Sequence, residues 1–128
     1  MIVIKQKTKK MEKLISWVEI PAVDFERAID FYTKTLNIDF NMVNCGNEKM
    51  ACFSTGEGAI SMAPNFKPSQ NGLLVSFNTD KKLDDALKTV ELIGGQVIQA
   101  KTKIEAEGRD YFALIIDSEG NKIGLYGE

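Results

Sequence analysis

Histidine is absent from this 128-residue chain, and tryptophan occurs once, at Trp17. Without imidazole, a transition-metal site would have to be built from carboxylates and thiolates alone, which narrows the metal chemistry open to the chain. Cysteine is almost as scarce. Cys45 and Cys52 are too few for a disulfide framework, and alternation along a hairpin does not set them opposite each other, so both are expected as free thiols of a cytoplasmic protein. No apolar run approaches the roughly 18 to 20 residues that span a bilayer, and no secretory signal is recognisable, so no membrane partner is expected. Charge of one sign is lacking too: 16 basic against 18 acidic residues leave a net charge of −2, which gives no general footprint for nucleic acid. The one basic cluster, Lys5, Lys7, Lys9 and Lys10, has no interleaved aromatic residues and reads as a solvated tail over residues 1–12.

What remains is ordinary globular material, 44% hydrophobic and 27% charged, enough to bury the core of one domain. Its organisation is a repeat. A strand-like run, Ile15 to Pro21, precedes a segment from Asp24 to Leu36 in which Phe25, Ala28, Ile29, Tyr32 and Leu36 recur at the helical period. The pattern returns as the run Leu73 to Thr79 and the segment Asp80 to Ile93, with Leu83, Ala86, Leu87, Val90 and Ile93 on one face. Asp24 and Asp80 stand where a helix N-cap accepts backbone N–H groups, while Asn37 and the Gly94-Gly95 pair supply left-handed stops.

Extended runs separated by turn residues follow each helix: Ile38 to Cys45, Met50 to Ser54 and Ala59 to Ala63, then Gln96 to Ile104, Tyr111 to Ile116 and Lys122 to Tyr126. The expected fold is α+β, with two β-α-β-β-β modules, residues 13–63 and 73–128, curved around a cleft and joined by a proline-bearing linker over 64–72. Aligning the repeats sets Trp17 against Leu74, Glu19 against Ser76 and Ser61 against Gly124. Leu73, Val75, Phe77, Ile123 and Leu125 are expected in the core.

Two segments carry a resemblance. WVEIPAVDFERAIDFY, starting at Trp17, is similar to the opening of the vicinal oxygen chelate superfamily, and DSEGNKIGLY, from Asp117 to Tyr126, resembles the turn and last strand of that family. The match runs from about Lys13 to Tyr126 in the family's order. Glyoxalase I, extradiol dioxygenases and bleomycin-binding proteins are among its members, so the resemblance implies a cleft for a small molecule and a homodimer. In metal-dependent members, the first and last strands of each module each give a His or Glu ligand. Those positions fall here on Trp17, Ser61, Leu74 and Gly124, none of them a competent donor for a first-row metal. No metal or other cofactor is implied.

Period-2 alternation sends Val18 and Ile20 toward the helices and Trp17 and Glu19 into the cleft. Glu19 is either a general acid or base, made so by a partly apolar setting, or a carboxylate that orients a hydrogen-bond network. Trp17 either stacks on a planar or cationic ligand or fills the vacated metal site as core. Ser61, Ser76 and Tyr126 add hydroxyl groups on the cleft face, Gly124 leaves room, and Arg109 and Tyr111 either reach over the cleft or sit on a hairpin surface. The leading expectation is a protein that binds a small, partly aromatic or amphipathic molecule in a metal-free cleft. The alternative is a glyoxalase-like lyase or isomerase using Glu19 as general base or as part of an atypical metal site. A purely interacting subunit is the third class.

Overall fold

Alternating apolar residues on short strands and a single apolar stripe on each helix leave one way to bury both: sheets backed by helices. The computed structural model of the chain describes residues 14–106, 108 and 110–128. The lysine-rich tail, Glu107 and Arg109 lie outside the described residues.

The first module comprises β1 (Val18–Pro21), α1 (Phe25–Leu36), β2 (Phe40–Cys45), β3 (Glu48–Phe53) and β4 (Gly58–Met62). The second repeats it as β5 (Val75–Asn78), α2 (Leu83–Leu92), β6 (Gln96–Lys103), β7 (Tyr111–Ile116) and β8 (Lys122–Gly127). Each module forms a four-stranded mixed sheet, in the orders β1-β4-β3-β2 and β5-β8-β7-β6. The first and last strands of each module pair in parallel and the others antiparallel. Gly58 is required by this pairing, because a Cβ there would stand 2.0 Å from the Val18 carbonyl oxygen.

Helix α1 starts and stops as its end residues dictate. Asp24 accepts a hydrogen bond from the Arg27 amide at 3.1 Å, and Asn37 closes the helix in the left-handed region at φ 57°. Helix α2 departs from the repeat. It begins at Leu83 rather than near Asp80, with Lys82 at the N-cap and no side-chain cap. Asp80 instead accepts a hydrogen bond from the Asn37 side chain at 2.8 Å, and the Leu83 amide donates to the Glu128 carbonyl at 2.9 Å. A backbone carbonyl thus does the work expected of the carboxylate.

The two modules share one core. Edge and tilted ring contacts run from Phe31 to Tyr32 to Phe77 to Phe53 to Phe40, with centroids 5.1 to 5.8 Å apart, so Phe77 of the second module sits between rings of the first. Ile123 and Leu125 are buried, and Val75 packs against the same cluster. Leu73 does not join it. It precedes β5, has no pleat to turn it inward, and is 95% exposed.

The turn Asp117-Ser118-Glu119-Gly120-Asn121 stitches the modules together. The Asp117 carboxylate accepts from the Tyr32 hydroxyl (2.5 Å), the Asn121 side chain (3.0 Å) and the Glu119 and Asn121 amides (2.8 and 2.9 Å). Asn121 also donates to the Pro21 carbonyl and accepts from the Ser69 amide, tying β1 and the linker to the same turn. Burial, then the neighbouring Asp117 charge, holds the Tyr32 phenol well above its ordinary pKa, so it stays a donor.

Glu119, whose side chain is fully covered, accepts from the Val23 and Asp24 amides and from Nε and Nη2 of Arg27. Burial acts to raise its pKa, but these hydrogen bonds, that of Arg27 foremost, outweigh it and leave the carboxyl below its usual range.

Removing the Asp117 carboxylate strands several donors at once. Asp117→Ala should therefore cost about 3 kcal/mol or more in urea unfolding and Tyr32→Phe only about 1 kcal/mol; equal costs would show that the carboxylate is not the hub. The depressed Glu119 pKa means that the unfolded state binds the proton more tightly. Stability should fall as pH drops from about 4.3, the unfolded glutamate value, through the lower folded one. Glu119→Gln should flatten that part of the stability curve, and an unchanged slope would contradict the assignment.

Candidate functional site

Strand β1 joins the core through its even-numbered side chains: Ile20 is buried and Val18 packs against the core, which directs Trp17 and Glu19 to the other face of the sheet. There the Trp17 indole N–H donates to Oε2 of Glu19 at 3.1 Å, and the Ser61 hydroxyl, fully buried, donates to Oε1 at 2.8 Å. The carboxylate is held at both oxygens, with the indole locked beside it.

Strand register changes the expected correspondence between modules. Glu19 lies opposite Ala59, whereas Ser76 lies opposite Gly124. The Ala22 amide bonds to the Ser61 carbonyl just as the Thr79 amide bonds to the Tyr126 carbonyl. The counterpart of Gly124 is therefore Ala59, and that of Ser61 is Tyr126. The glycine loops before β4 and β8 differ in length, which hid the two-residue offset. In the second module, a Cβ on Gly124 would meet the Ser76 hydroxyl at 2.3 Å, so the Ser76 side chain occupies the space beside that backbone.

The residues expected at the site are divided among separate concavities. Trp17, Glu19 and Leu74 line one groove of about 650 Å³ between β1, the start of β5 and the linker, together with Ile15, Phe66 and Leu73. Ser76 opens on a second space of about 310 Å³ with Val18, Phe53 and Phe77. Tyr126 and Tyr111 border a third, polar one of about 450 Å³ near Lys81 and Asp110. Tyr111 stands apart from the cleft set. Alternation along β7 puts it on the helix side with Ala113 and Ile115, where the ammonium groups of Lys101 and Lys103 lie 4.5 and 5.3 Å from its ring centre.

Sequence reasoning missed Phe66 and Glu48, which with Trp17, Glu19 and Ala63 line a further pocket of about 430 Å³. An aromatic residue inside a linker rich in Pro, Asn and Gly was the available signal for Phe66. Glu48 shares the alternation of Met50 and Cys52, opposite to buried Ala51 and Phe53, but the strand start was placed two residues late.

The donors present do not fit a first-row metal. Trp17, Leu74, Gly124 and Ala59 offer no ligand atom, Ser61 is committed to Glu19, and among the described residues no three His, Cys, Asp or Glu side chains converge.

Two parallel-closed β-α-β-β-β modules around such a groove define a class of protein. The sequence model of the Glyoxalase/Bleomycin resistance protein/Dioxygenase superfamily matches residues 14–125, and the chain belongs to that superfamily. Among solved structures, it is similar to a family enzyme from Burkholderia phytofirmans PsJN, with 18% identity and TM-score 0.65, over 88% of this chain and 97% of that one. A hypothetical protein from S. aureus gives 20% identity and TM-score 0.63 over 94% and 96%. A glyoxalase I mutant from Zea mays gives 18% and 0.67, but there the chain covers 87% of itself and only 44% of the maize chain. No match was found among curated protein sequences.

Proposed function

We propose that this chain binds a small, partly aromatic or amphipathic molecule in the groove beside Trp17, without a metal. The observation that carries this is the pairing at Glu19: its carboxylate is hydrogen-bonded at each oxygen, by Trp17 and by Ser61, beside a half-exposed indole. A carboxylate so held orients its neighbours and presents a fixed negative charge. Trp17, 42% exposed, keeps a ring face for a ligand. The groove adds apolar lining from Ile15, Leu73 and Leu74 and an aromatic wall from Phe66.

The protein works as a homodimer in a reducing, cytoplasmic setting. Met42 and Val43 on β2 and Ile98 on β6, the outer strands of the two sheets, expose 58%, 42% and 48% of their surface, the kind of apolar edge that a second copy covers, and Cys52 is a free thiol.

Metal-stripped protein titrated with Ni²⁺, Co²⁺, Mn²⁺, Zn²⁺ and Mg²⁺ should show no saturable thermal shift. A small aromatic or amphipathic ligand at 100 times its Kd should add about 2.7 kcal/mol. A saturable metal shift lost in Glu19→Ala would overturn the metal-free function and favour the lyase or isomerase. Light scattering on the eluted protein should give twice the 14.2 kDa chain mass, and a monomer at micromolar concentration would refute the dimer.

A further inference from the structure

We propose that two copies of the chain associate by antiparallel pairing of strand β2 with β2 of the second copy, on a two-fold axis at Met42. This rests on the homodimer named above and specifies its surface. The edge strands of the two sheets are not equivalent. β1 and the start of β5 flank the groove. β6 is protected as exposed edges usually are: its pairing with β7 shifts register between Val97 and Gln99 and again between Gln99 and Thr102, and it carries Lys101 and Lys103. β2 has none of these devices. Phe40–Cys45 contains neither charge nor proline and pairs with β3 without a shift, and among the described residues nothing pairs with its outer edge.

The direction of its backbone groups follows from the ladder. The Ser54 amide donates to the Asp39 carbonyl at 3.1 Å, and the same register continues through Phe40 opposite Phe53 and Asn41 opposite Cys52. Hydrogen-bonded pairs alternate in an antiparallel ladder, so Asn41 and Val43 bond to β3 while Phe40, Met42 and Asn44 turn their N–H and C=O groups outward. The outward residues are spaced evenly about Met42. A second copy related by a two-fold axis there sets Phe40 against Asn44 and Met42 against Met42, and each such pair exchanges both of its hydrogen bonds.

The side chains agree with that register. Met42 lies in one row with buried Ala51 and Ile60 yet is 58% exposed, and Val43, 42% exposed, stands on the other face. Pairing covers Met42 with its own copy on one face and Val43 with Asn41 on the other, and no like charges meet within the strand. A copy of the same strand suits this edge better than an unrelated segment, because both open edges are used up in one contact. Such an isologous contact closes at two chains, and the bulged, lysine-bearing β6 does not extend it into a fibre.

Hydrogen exchange followed by NMR at low and high protein concentration reads the pairing residue by residue. At high concentration the Phe40, Met42 and Asn44 amides should exchange about tenfold more slowly, while those of Asn41 and Val43, already bonded to β3, should change little. Met42→Lys sets like charges opposite each other and should weaken the dimer about tenfold in light scattering, with the far-UV circular dichroism unchanged. Met42→Pro removes an outward N–H without touching the β3 ladder and should act the same way. Ile98→Lys on β6 should leave the mass at twice the 14.2 kDa of the chain. A dimer whose Phe40, Met42 and Asn44 amides exchange freely, one that survives Met42→Lys, or one that Ile98→Lys dissociates would overturn the β2 pairing and leave the homodimer standing. A monomeric wild-type chain would overturn both.

Discussion

The buried carboxylate of Asp117 is the interaction on which the rest of the molecule depends. It gathers a side-chain hydroxyl from α1, a side-chain amide and two backbone amides into one turn. A buried charge is tolerated only when it is fully hydrogen-bonded, and here the donors come from both modules, so satisfying the charge is the same event as docking the modules. Glu119 extends the stitch to the start of α1 through Val23, Asp24 and Arg27, and Asn121 extends it to Pro21 and the linker. The edges of β1 and β5 are held near each other as a result. The groove exists because of that placement.

The same segment that resembles a family signature is therefore a structural device. Its Asp117 and Glu119 carboxylates face the other module, while Asn121 and Lys122 reach the wall of the groove, which is otherwise built by β1, the linker and the start of β5. Trp17 takes no part in the hydrogen bonds of the Asp117 turn and bonds to Glu19 instead. The Trp17 and Glu19 side chains can change without removing a hydrogen bond of the clasp.

Within the groove, geometry sets limits on chemistry. Ser61 and Trp17 spend their donors on Glu19. The first module thus offers a fixed negative charge next to an exposed ring, and the second offers apolar surface from Leu73 and Leu74. The pseudo-symmetry of the backbone is not matched by symmetry of side chains.

Much of the fold was legible in the chain. The helical stripe of Ala28, Tyr32 and Leu36, the Asp24 and Asn37 ends of α1, and the β7 run from Tyr111 to Ile116 all follow from local rules of period, capping and turn chemistry. Alternation along β1 also sent Trp17 and Glu19 away from the core. What local rules do not contain is register and reach. The offset that pairs Gly124 with Ala59, the capping of α2 by the Glu128 carbonyl in place of Asp80, the exposure of Leu73 and the position of Tyr111 on the helix face depend on strand pairing or on residues far along the chain. The meeting of Glu48 and Phe66 with Glu19 is of the same kind. Sequence by itself determined the helices, the strands and the ends of α1, because those are properties of single residues and short periods. Only the tertiary structure decided which side chains share a pocket, because that depends on how two sheets are clasped by a buried charge.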